Sequence, residues 1–179
     1  MRTALLKYVS LVDGMNYWIG RVVMYGIFLM MGILLWSTFT KVGSDLGFGI
    51  NPSLWTLEMA QFAMVAYYIL GGPYSIQLGS NVRMDLLYGN WSDRKKAQID
   101  ALSVLFLIVY LVILLWGGWD SLTYSFQYGG ERSSTVWRPY LWPIKLIMVV
   151  GIFLMLLQAV SEFFKDILRL MGEDVGRKV

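Results

Sequence analysis

The sequence predicts an all-α integral membrane protein, and three observations predict it. The 179 residues are 57% hydrophobic and only 15% charged, far more apolar and less charged than a soluble globular domain. The apolar residues gather into runs long enough to cross a bilayer. The charges sit at the ends of those runs, not along one polar face, which separates this basic chain (pI about 9.1) from a nucleic-acid binder. A single domain over residues 1–179 is expected, because no repeat, low-complexity tract or linker interrupts the pattern.

A hydrocarbon core of about 30 Å needs about 20 helical residues, and a helix satisfies its own backbone groups in lipid. Four segments meet that length, at about 18–39, 54–74, 99–119 and 140–164. The first holds Arg21 near its start, close enough to snorkel to the interface. Asn51-Pro52 offers a cap and a first-turn proline to the second, and Gly71-Gly72-Pro73 reads as its stop. Ser92-Asp93 lies one to two turns before the third span, so that helix is expected to extend beyond the membrane. Trp116 and Trp119 near the end of the third, with Trp137, Tyr140 and Trp142 before the fourth, make an aromatic belt on one side.

Two flanking segments read as interfacial. From Thr3 to Tyr17, Leu5, Tyr8, Val9, Val12 and Met15 recur at helical spacing while Lys7, Ser10 and Asn16 fall on other faces, which predicts an amphipathic helix in the membrane plane. Ser75 to Tyr88, after the second span, is similarly mixed. The N-terminus lacks the short apolar core and small-residue cleavage site of a secretory signal, so the first span is expected to stay as an uncleaved anchor.

Orientation follows from the basic residues. Lys41, Arg132, Arg138 and Lys145 lie on one side. The rest of the 15, including Arg83, Arg94, Lys95, Lys96 and Lys165, lie on the other, which places both termini in the cytoplasm.

Catalytic chemistry has little to work with. The chain has no cysteine and no histidine, which removes thiolates, the usual haem ligand and the commonest zinc ligand and general base. No glycine-rich phosphate loop or nucleophile motif is present, so neither an enzyme nor a cofactor site is expected. The one carboxylate inside the second span is Glu58, with Gln61 three residues on and Tyr68 ten residues on. Burying such a charge costs at least about 2.5–3.5 kcal/mol at mid-span. This stripe either lines an ion or substrate path in an oligomeric channel or exporter, or reaches the interface or a partner from the first turns of its helix. Arg83 and Asp85 are two residues apart and do not pair along a helix, so each needs lipid phosphate, water or another protein. Tyr128 to Trp137, with Glu131, Arg132 and Ser133, forms a polar connection that is a candidate docking edge. A quinone-binding redox anchor is a further alternative, although the missing histidine counts against haem.

The order of these motifs resembles the small membrane subunit of tripartite ATP-independent periplasmic (TRAP) transporters, the DctQ-like family. The resemblance rests on four spans; on Asn81, Val82, Arg83, Met84 and Asp85 followed by Arg94 to Lys96; on Glu131, Ser133, Trp137, Pro139 and Pro143; and on Lys145 with the apolar run ending LLQAVSEF. Val82 departs from the pattern, standing where relatives frequently carry histidine. The resemblance implies a scaffold in the bacterial inner membrane that forms a heterodimer with a large subunit carrying the substrate and sodium sites. It also implies a periplasmic binding protein as third partner. Asn81, Arg83, Asp85, Arg94, Glu58 and Gln61 are then candidate contacts with the large subunit or with phospholipid, and Glu131, Arg132, Ser133 and Trp137 candidate contacts with the binding protein. The resemblance does not name the solute.

Overall fold

The computed structural model describes residues 2–79, 93–128 and 130–170. Within them lie five helices: α1 (Arg2–Met24), α2 (Gly26–Asp45), α3 (Thr56–Leu78), α4 (Asp93–Gln127) and α5 (Trp142–Leu170). Their main contacts link them in a row, α2 to α3 to α5 to α4, while α1 packs on both α3 and α5. The result is one layer of helices, open on both faces, in which the second half of α1 runs along α3 in line with α2, Gly20 against Tyr74 and Val23 against Gly71, while its first half reaches α5. Of the three apolar stretches, α5, flanked by α3 and α4 and touched by α1, is the most enclosed: 44% of its most apolar window is buried, against 6% in α4 and in the α1–α2 stretch. Leu111, Ile152 and Ala159 form the buried centre of the α4–α5 seam.

Three helical stretches among the described residues are long and apolar enough to cross a membrane: Leu5–Asp45, Gln98–Gln127 and Trp142–Leu168. The predicted second span is a helix of 23 residues but falls outside this set. Glu58, Gln61 and Gln77 dilute its apolar character, and α1, α2 and α5 all pack against it.

Several boundaries differ from those read in the sequence. The predicted break between the interfacial helix and the first span, near Tyr17 and Trp18, is absent, since neither residue interrupts a helix. The interruption is a single residue, Tyr25, whose backbone stays helical (φ −73°, ψ −13°). It carries tightened i to i+3 bonds, from Tyr25 N–H to Val22 O and from Phe28 N–H to Tyr25 O, each 3.1 Å. The predicted span at about 18–39 lies within the apolar stretch Leu5–Asp45, and α2 itself covers Gly26–Asp45. Asn16, expected on a polar face, is fully buried. Asn51-Pro52 does not cap α3, which starts at Thr56 after Trp55 with no side-chain cap.

The reading of Gly71-Gly72-Pro73 as a stop is also corrected. The helix runs through Pro73 to Leu78, so Ser75 to Leu78 belong to it, and it ends at Gly79 in the left-handed conformation (φ 61°), where a glycine carries no steric penalty. Pro73 has no N–H to offer the Ile69 carbonyl, a defect that costs about 3 kcal/mol in an isolated helix. Packing overrides it. Pro73 is fully buried, and Gly151 of α5 lies so close to Ile69 that an added Cβ would stand 3.0 Å from that carbonyl oxygen. The missing side chain at residue 151 lets α5 press against the weak point of α3.

Gly151→Val therefore forces α3 and α5 apart. It is expected to destabilise the protein by about 1–3 kcal/mol through overpacking, read as a lowered midpoint in thermal unfolding of the detergent-solubilised chain, whereas Gly14→Ala, which meets nothing within 4 Å, leaves it near wild type.

Candidate functional site

At one end of the layer, the connection between α4 and α5 folds back as a hairpin. Leu141 N–H donates to Glu131 O (2.9 Å) and Ser133 N–H to Pro139 O (3.0 Å), on either side of an isolated antiparallel bridge between Arg132 and Tyr140. The sequence favours this turn locally. Gly130 takes φ 87°, and an added Cβ there would stand 2.9 Å from the Tyr140 ring. Pro139 has no N–H and serves as an acceptor. Two side-chain ties fix the hairpin: the Arg132 guanidinium stacks over the Tyr140 ring at 4.4 Å and donates to its hydroxyl, and Glu131 forms an ion pair with Lys145 of α5. Lys145 also donates to Ser121 O at the end of α4 (3.4 Å), so one ammonium joins the hairpin to both helices.

The tip carries exposed apolar surface. Val136 is 79% and Trp137 41% exposed, and Arg138 holds a left-handed φ of 51°, a conformation uncommon outside glycine. The structure thus brings Glu131, Arg132, Ser133 and Trp137 together on one hairpin, with Glu131 and Arg132 as its fasteners and Trp137 at its tip.

The sequence reading missed the densest polar feature, which lies at the opposite end where α1 crosses α3 and α5. Lys165 sits between two carboxylates, 2.7 Å from Asp13 Oδ2 and 2.7 Å from Glu162 Oε1, with a side chain only 9% exposed. Gln158 completes the set. Its Nε2 donates to Asp13 Oδ1 (3.0 Å) and Glu162 Oε1 (3.2 Å), while its Oε1 accepts from Asn16 Nδ2 (2.7 Å). Ser161 donates to Asp13 Oδ1 (3.2 Å), and Gln77 of α3 to the Asp13 carbonyl (3.2 Å).

This network sets the path of α1. Tyr8 and Asn16 are two turns apart on α1, yet Tyr8 donates to the Leu157 carbonyl (3.2 Å) and Asn16 to Gln158. Tyr8 also packs edge-on against Phe164 (5.9 Å), so the first half of α1 is held over residues 157–165 of α5. The signal was legible: Gln158, Ser161, Glu162 and Lys165 fall at i, i+3, i+4 and i+7, one face of a helix, inside a stretch read only as apolar.

The remaining sequence candidates are not gathered into a site. Glu58 is 7% exposed, and its Oε2 is buried without a hydrogen-bond partner. Gln61 is exposed and Tyr68 is 63% exposed, so the expected stripe is divided between two environments. Asn81, Arg83 and Asp85 lie outside the described residues. Arg94 is in the first turn of α4, and its side chain lies outside the described set. Among the described residues, no group of three or more metal-ligating side chains occurs.

These features define a small polytopic helical membrane protein. Its family can be stated: the family model described as tripartite ATP-independent periplasmic transporters, DctQ component, matches residues 30–169, most of the chain, and the protein belongs to that family. It is a component of a transporter and not a member of an enzyme family. No curated protein and no solved structure matches the chain.

Removing Lys165 leaves the buried Glu162 and the half-buried Asp13 without the cation that joins them, a change expected to cost up to about 3–5 kcal/mol, the range for breaking a buried pair. Lys165→Ala should lower the unfolding midpoint sharply, and combining it with Asp13→Ala should cost less than the sum of the single changes, because the two residues share one interaction.

Proposed function

We propose that this chain is the scaffold subunit of a sodium-coupled TRAP importer of an organic acid or related solute in the bacterial inner membrane. It braces a large transport subunit and offers the α4–α5 hairpin to a periplasmic binding protein. The observation that carries this reading is the unbroken course of the helices. Secondary transporters build substrate and ion sites from discontinuous helices whose half-helix ends and unwound backbone line a midplane cavity. Here α3 stays helical even through Pro73, and the charged groups Asp13, Glu162 and Lys165 of the α1–α5 crossing are paired with one another. In this reading the sodium and substrate sites belong to the large subunit.

A single layer open on both faces suits a brace, since it offers a long apolar surface to a partner and to lipid. The bias of basic residues places the termini in the cytoplasm and the hairpin in the periplasm. Arg83 and Asp85 then face the cytoplasmic side as contacts for the large subunit or lipid phosphate. The buried, unpartnered oxygen of Glu58 favours a polar contact supplied in the assembled complex. A self-contained channel using Glu58 and Gln61 needs both on one polar surface, and their different burial speaks against it.

Two outcomes test the scaffold reading. Trp137→Ala, at the hairpin tip and outside its fasteners, should reduce binding-protein-dependent uptake into proteoliposomes at least several-fold while the yield of the membrane complex stays unchanged; equal uptake removes the docking role. Arg83→Glu should lower the yield of that complex, because reversing a charge at an interface leaves its partner unpaired.

A further inference from the structure

We infer that the groove between α1 and α3 is a binding site for one phospholipid, its phosphate held by Arg21 and an acyl chain lying along Gly20, Gly71 and Gly72. The groove has a volume of about 490 Å³ and is walled by Val23, Met24, Tyr67, Tyr68, Tyr74 and Leu78, within the range of about 300–1,000 Å³ typical of small-molecule sites.

The headgroup end is organised. Arg21 donates through Nε (3.2 Å) and Nη2 (2.8 Å) to one acceptor, the Tyr17 hydroxyl, and its guanidinium stands 5.4 Å from the same ring. The Tyr17 ring in turn packs edge-on against Tyr74, a wall of the groove, at 5.9 Å. Two of the five guanidinium N–H donors are used. The other three, with the Tyr17 hydroxyl hydrogen, match a phosphate, which arginine binds in bidentate fashion. No acidic side chain pairs with Arg21 among the described ion pairs.

Depth supports the same occupant. The 20 residues of α2 span about 30 Å, the thickness of the hydrocarbon core, so Arg21, about one turn before Gly26, stands at the headgroup boundary. The groove leads from it toward Tyr67, beside Gly26, into the apolar layer. A partner helix would need an acceptor for the Arg21 donors and would meet a rim made for an anion. The inference requires only that the chain be membrane-embedded, not that it act as a scaffold.

Native mass spectrometry of the full chain in detergent, titrated with phosphatidylglycerol, tests it. Wild type should bind one phosphatidylglycerol at least ten-fold more tightly than Arg21→Gln, which lacks the charge, and than Gly71→Leu, which fills the groove. Circular dichroism and the unfolding midpoint show whether both variants remain folded, and Arg21→Lys gives intermediate binding and guards against a failed variant. Lys41→Gln, a change to an exposed cation at the far end of α2, should bind as wild type. Equal binding by wild type and Arg21→Gln, equal binding of a phosphate-free diacylglycerol, or loss of the lipid when the large subunit assembles on this face would each overturn the proposal.

Discussion

Lys165 between Asp13 and Glu162 is the interaction on which the architecture depends. A layer of helices has no centre: α2 and α4 lie at its two edges, and in the main contacts only α1, α3 and α5 have as many as three neighbours. Lipid adds no hydrophobic drive to close it, because tails are as apolar as leucine. Directional polar contacts therefore carry more of the order than in a soluble bundle. The Lys165 cluster supplies them where α1 crosses α5, and Gln77 extends it to α3. Its geometry meets the condition under which a buried ion pair holds, since Gln158 and Ser161 occupy carboxylate lone pairs that would otherwise be stranded.

Small residues carry the rest. Gly151 against Ile69 and Gly72 against Met155 bring α3 and α5 into close contact beside Pro73, and that contact keeps α3 helical through it. Gly20 against Tyr74 brings α1 and α3 together in the same way.

The sequence showed the helical membrane class, four of the helices and the grouping of Glu131, Arg132, Ser133 and Trp137, because hydropathy and loop polarity are local properties. It did not show that Gly71-Gly72-Pro73 stays helical, since what holds it lies some eighty residues away on α5. Nor did it show that Asn16 is buried. A polar residue on an amphipathic helix is assigned to water unless the polar stripe it will meet is recognised, and that stripe, from Gln158 to Lys165, begins inside an apolar run and ends in what looked like a topology signal. Lys165 and Lys145 counted equally as charges in fixing orientation. Folded, each is tied to carboxylate, which a count of charges does not reveal.

Those two lysines give α5 its place in the design. They lie twenty residues apart on one helix, about 30 Å along its axis. At one end Lys145 fastens the hairpin to α4 and α5 through Glu131 and Ser121; at the other Lys165 fastens α1 through Asp13. Both ammonium groups are mostly enclosed, so neither is free to snorkel into the headgroups and let the helix slide. The hairpin and α1 are then tied to one helix together. A rod fastened at both ends cannot shift one end without straining an ion pair at the other.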